Sequence, residues 1–186
     1  MNAEITRAAT RLGEAEAASL RRSQVVAEAL SWVGTPYCHQ ASLKGTGCDC
    51  LGLIRGVWRA LYGAEPETVP GYTPDWAEAK GEETLAAAAL RHLVAIAPDE
   101  GEAGDVLLFR WRANLPAKHA AILISVSRSP ALAPPGQRRG SSPLVAPDRF
   151  VHAQQGAAVS TATLTPWWRR RIAYAFSFPG VGNNSE

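Results

Sequence analysis

Apolar positions recur at helical spacing in the first half of the chain and in short alternating runs in the second. From Ser23, read as an N-cap, Val25, Val26, Ala29, Leu30 and Val33 share one helical face, and Gly34-Thr35-Pro36 ends that helix. Residues 1–22 before it are rich in Ala, Glu and Arg with little apolar periodicity, and read as a helical extension outside the core. A loop of small residues, ASLKGTGCDC, leads to Asp49, the expected N-cap of a helix running to about Tyr62 and stopped by Gly63. The segment from Gly71 to Trp76 reads as turn, and Glu82 to Ala97 as an Ala-rich helix ended by Pro98.

Beyond that point the period changes. Asp105–Arg110, His119–Val126, Phe150–Ala153, Ala157–Leu164 and Ile172–Phe178 are short, rich in β-branched or aromatic residues, and separated by turn signals. Helices first and strands afterwards predict an α+β domain whose helices pack on one face of a five- to six-stranded antiparallel sheet. One domain over residues 23–179 is expected, with a Pro-, Gly-, Ser- and Arg-rich surface insertion at 127–143 and a flexible tail at 180–186.

The chain has 186 residues with 46% hydrophobic and 19% charged, a globular composition that excludes an intrinsically disordered chain. A net charge of +2 gives no argument for nucleic acid. The charge is unevenly spread: residues 1–100 carry 9 Lys and Arg against 13 Asp and Glu, and residues 101–186 carry 10 against 4. An acidic partner is therefore expected for the C-terminal half. No apolar run approaches the length of a membrane span, and MNAEITRAATRLGEAEAASLRR has no apolar secretion segment. Synthesis in the cytoplasm is expected, with any action outside requiring another carrier.

Three cysteines, Cys38, Cys48 and Cys50, fall within thirteen residues, an odd number that makes no disulfide framework. Cys50, Leu53, Ile54, Val57 and Leu61 lie at i, i+3, i+4, i+7 and i+11, so Cys50 heads the buried stripe of its helix. It also occupies the first turn, where free backbone N–H groups and the helix dipole favour an anion, so its thiol is expected to ionise readily. The bland alternative is a small buried core cysteine. A base must come from His39, His92, His119 or His152. His119 opens one strand and His152 ends another, and antiparallel neighbours would bring them to one edge, with His119 as base and His152 holding its second ring nitrogen. Two half-exposed strand-end histidines are the alternative there. A zinc site on Cys38, His39, Cys48 and Cys50 is a third reading, disfavoured because one residue between Cys48 and Cys50 is shorter than the usual ligand spacing.

The segments GTPY at 34–37, CDCLGL at 48–53, GDVLLF at 104–109, HAAILI at 119–124 and VHA at 151–153 resemble, in order, those of the NlpC-type cysteine peptidases. That family comprises papain-like bacterial hydrolases that cleave the stem peptides of peptidoglycan. KHAAIL and PWWRRRIA also resemble the branch associated with phage tails and phage-like gene transfer particles. The resemblance implies Cys50 as nucleophile, His119 as base and His152 as the third, polar residue. It further implies that Tyr37 helps line the oxyanion site and that Asp49 lies near the substrate's amino end, with no cofactor and no metal. The partners implied are peptidoglycan stem peptides and phage-like tail proteins. Leu51 stands where the family usually has Ser, which predicts a less polar adjoining subsite. A structural tail-tip protein without turnover, and an amidase or acyltransferase on the same framework, are the rival expectations.

Overall fold

The N-terminal helix owes its length to composition. Residues 2–22 are mostly strong helix formers, so nothing interrupts the backbone ladder before the apolar stripe begins. In the computed structural model, which describes residues 2–73, 81–127 and 147–181, one helix α1 runs Asn2–Leu30. Ser23 is therefore a helix-interior residue and not a cap; its hydroxyl donates to Ser19 O at 3.0 Å, the back-bond typical of a serine inside a helix. Arg22, placed outside the core by sequence, reaches across to the sheet. Its guanidinium bonds Asp105 Oδ1 at 2.8 Å and Ala103 O at 3.1 Å, and Asp105 is fully buried.

The small-residue loop forms a short hairpin, β1 (Ser42–Leu43) and β2 (Gly47–Cys48), that delivers the chain to helix α2 (Cys50–Tyr62). Asp49 caps α2 and Gly63, at φ 84°, ends it, as the sequence predicts. The helix expected over 82–97 is shorter. Helix α3 covers Thr84–His92, and Val94–Ile96 forms strand β3 instead. Those three residues pair with the last strand at the sheet edge, and the gain of ladder bonds there outweighs the helical preference of the Ala-rich run.

The remaining strands lie close to their expected places: β4 (Val106–Phe109), β5 (His119–Ser125), β6 (Arg149–His152), β7 (Ser160–Thr163) and β8 (Ile172–Ser177). A one-turn helix α4 (Pro166–Arg169) precedes β8. The six strands form one antiparallel sheet in the order β3-β8-β4-β5-β6-β7. Alternation along the strands gives the sheet two buried faces. Val106, Leu108, Ile122, Val151 and Phe176 meet Val25, Ala29, Trp32, Leu53 and Val57 of the helical side. Leu107, Phe109, Leu123, Phe150 and Ala175 form a second, smaller core closed by Leu164 and Trp168. The helices thus cover one face, as expected, while α4 and its flanks cover part of the other.

The expected insertion at 127–143 lies outside the described residues except for Ser127. So do Trp76 and all but residues 180 and 181 of the expected tail.

Candidate active site

Asp49 organises the start of α2. Its Oδ1 accepts from Gly52 N at 2.8 Å, and its Oδ2 accepts from Gln40 N at 2.7 Å and Tyr72 OH at 2.5 Å. His39 Nδ1 lies 3.5 Å from the same Oδ2, and His39 Nε2 is 2.8 Å from Tyr72 O. The carboxylate is buried and its acceptor capacity is almost fully used. A side chain at Gly52 would collide with the Ala41 carbonyl, so the hairpin can press against the helix start only with glycine there.

This scaffold sets Cys50 in the first turn of α2, with Sγ 4.0 Å from Lys118 O, the carbonyl just before His119. The thiol is not activated at rest. Burial and the neighbouring Asp49 charge push it up to about 11, against the opposing pull of the Ala120, Leu51 and Cys50 N–H groups. The sequence expectation of a readily ionised thiol is corrected here: the helix terminus contributes, but desolvation wins. Cys48 is buried in β2 and pushed up to about 12 for the same two reasons, while Cys38 is exposed.

His119 and His152 meet as the strand register predicts. His119 Nε2 lies 3.0 Å from His152 Nδ1, and their rings cross at 78°. Both are buried, not half exposed. Burial pulls His119 down to about 3, with a smaller contribution from His152, and burial alone lowers His152. The imidazoles are therefore neutral at neutral pH. No hydrogen bond joins Cys50 to either ring; the thiol reaches the backbone beside His119.

The histidines sit in an aromatic enclosure that sequence reasoning did not foresee. Trp111 stacks on His119 at 5.8 Å and 24°, and Trp168 packs on His152 at 5.6 Å and 89°. Trp168 also contacts Phe109 and Phe150, at 5.0 and 5.1 Å, which fixes its ring across the pair. The only sequence signal was the Trp167-Trp168 doublet ahead of three arginines. Tyr72 had none, being 23 residues from Asp49 in a Pro- and Gly-rich stretch.

Tyr37 bridges to Cys48 beside this site. Its phenol is held above the ordinary range by burial and by the Asp49, Cys50 and Cys38 charges, so it stays a donor. His92 stands apart from the pair, its Nε2 3.2 Å from Glu67 Oε2. Among the described residues, no three His, Cys, Asp or Glu side chains converge to hold a metal. No helix of the described residues is long and apolar enough to cross a membrane.

No family model matches the sequence, and no curated relative does either. Solved structures do. The NlpC/p60 domain of the peptidoglycan hydrolase SagA is 22% identical with a TM-score of 0.50, the match covering 84% of this chain and 98% of that one. An NlpC/p60 family protein from Bacillus cereus ATCC 10987 is 17% identical with a TM-score of 0.53, over 84% of this chain. A protein similar to a lipoprotein of the NLP/P60 family from Staphylococcus aureus is 21% identical with a TM-score of 0.49, over 85%. This chain spans 40% and 41% of the last two proteins. The α+β architecture described above is thus the NlpC/p60 fold.

Proposed function

We propose that the chain is a cysteine hydrolase that cleaves amide bonds in the stem peptides of peptidoglycan, with Cys50 as nucleophile, His119 as base and His152 as the residue that orients it. The observation that carries this reading is the 3.0 Å bond between His119 Nε2 and His152 Nδ1 at the strand start whose backbone the Cys50 thiol touches. The order of the five NlpC-like segments supports it, as does the fold shared with a peptidoglycan hydrolase domain.

The role proposed for His119 fixes the tautomers across this bond. For His119 Nδ1 to receive the thiol proton, His119 Nε2 must carry hydrogen and donate to His152 Nδ1, leaving His152 protonated on Nε2. The thiol proton passes to His119 as the sulfur attacks the amide carbon. Charge then develops on the carbonyl oxygen, where the Cys50 N–H and the protonated Tyr37 phenol are the donors; one such donor is worth about 10²–10³ in rate. The C–N bond breaks, the amine leaves with the proton held by His119, and a thioester remains on Cys50. Water attacks the thioester while His119 takes its proton, releasing the acid and the free thiol. Because both partners begin neutral, the thiolate–imidazolium pair exists only along the reaction path.

The same reading places the chain in a phage-like tail that carries it to a cell wall, supported by the KHAAIL and PWWRRRIA resemblances. Incubating purified chain with purified peptidoglycan and analysing the released fragments by mass spectrometry tests the activity. New amino termini within stem peptides, lost in Cys50→Ala, are expected. Wild-type chain that releases nothing favours a structural tail-tip role, and cleavage at the sugar–peptide amide favours an amidase. Co-purification with tail proteins from particles tests the location.

A further inference from the structure

Beside the nucleophile, between α2 and α3, opens a cavity of about 500 Å³. That is the size of a small-molecule site. Leu51, Ala120 and Tyr72, beside the candidate active site, line it, and two of these, Leu51 and Ala120, supply N–H groups that face the Cys50 sulfur. Its walls are mostly hydrocarbon, with Ile54, Leu85 and Ala88 among them.

Among the described lining residues the basic groups already face carboxylates, His92 Nε2 lying 3.2 Å from Glu67 Oε2. Arg55 bonds Glu65 at 2.7 Å, and Arg91 bonds Glu67 at 2.7 Å. Glu82, the remaining rim carboxylate, is exposed and would repel an anion. A carboxylate entering this cavity would lose its hydration without meeting a free cation among the described residues, at a cost that an uncharged group avoids. Resting on the reading of Cys50 as nucleophile, we infer that the cavity is a specificity subsite for an uncharged hydrophobic group, a hydrocarbon chain or an aromatic ring, on the part of the substrate that acylates Cys50. Within a stem peptide, the residue that acylates Cys50 is then an uncharged one and not one bearing a free carboxylate.

Alkylation of the full chain by iodoacetamide and by N-hexyl iodoacetamide tests this, with rates at each cysteine followed by peptide mapping. In each reaction the sulfur displaces iodide from the methylene carbon and the thiol proton is lost to base or buffer. Cys38, exposed and in the same molecule, is the internal reference. The hexyl reagent is expected to gain at least about tenfold at Cys50 relative to Cys38, roughly the effect of burying two methylenes. Ala88→Phe, which fills the cavity, should bring the Cys50 ratio back toward that of Cys38. Leu51→Ser, which makes the wall beside Cys50 polar, should lower it without filling the cavity. Equal ratios at Cys50 and Cys38 in the wild type, or no labelling of Cys50 by either reagent, overturn the inference. So does a hexyl preference that survives both substitutions. The underlying reading fails separately: Cys50→Ala that still releases peptidoglycan fragments removes Cys50 as nucleophile whatever the labelling shows.

Discussion

A histidine pair that stays neutral has consequences at both ends of the pH scale. His119 is held down to about 3 and His152 below its ordinary value, chiefly because a buried imidazole has no water to solvate its charge. The unfolded chain takes up protons as pH falls through about 6.5, the folded chain does not, and the difference draws the equilibrium toward unfolding. Stability should therefore fall with pH between about 6.5 and 3, as read by urea midpoints at a series of pH values, and a chain with His119→Phe should lose part of that slope. A flat profile over that window would show the pair to be protonated in the fold. Activity should behave differently from that of an ordinary histidine enzyme, with kcat/KM kept well below pH 6 and not halved near 6.5. His119→Ala should lower turnover by about 10²–10⁴ with the fold retained, and His152→Ala by less, because water can stand in for an orienting group. A larger loss at His152 would reverse their roles. The positions of both histidines were legible because strand ends can be read from turn signals. Their burial, and the raised thiol of Cys50, were not: the first depends on Trp111 and Trp168, and the second chiefly on desolvation, which only the fold brings about.

At the scale of elements, helix α2 is where sequence and structure agree most closely. An Asp cap, an apolar stripe and a terminal glycine are local signals, and local signals survive folding unchanged. Strand β3 shows the opposite case, since only its neighbour β8 tells Val94–Ile96 that it is not helix. Two substitutions separate the roles of the α2 start. Asp49→Asn keeps a capping oxygen but removes a negative charge, so the Cys50 thiol should titrate lower, measured by thiolate absorbance in the ultraviolet. An unchanged titration would mean that burial alone sets it. Farther along, Gly56 faces Trp32 so closely that a methyl group would overlap the ring. Gly56→Ala should cost about 1–3 kcal/mol through overpacking while leaving the site chemistry in place. Full stability of this variant would contradict the packing of Trp32, in the turn after α1, on α2.

The whole molecule is tied across its layers by one buried ion pair. Asp105, without exposure to solvent, accepts from Arg22 at 2.8 Å and from Ser177 Oγ at 2.6 Å, joining α1, the loop before β4, and β8. Arg22→Ala should cost about 3–5 kcal/mol because it strands a carboxylate in the interior, and thermal melting would read this directly. Such long-range ties are invisible to periodicity, which is why residues 1–22 read as detached from the core. The strand order carries a further consequence. The last strand described, β8, lies between β3 and β4, so the sheet cannot complete until residues 172–177 have been made. Cys50 is made well before both imidazoles, and Trp168, which packs on them, comes later still. A chain interrupted before β6 therefore holds the Cys50 thiol without the histidine pair that the fold later sets near it.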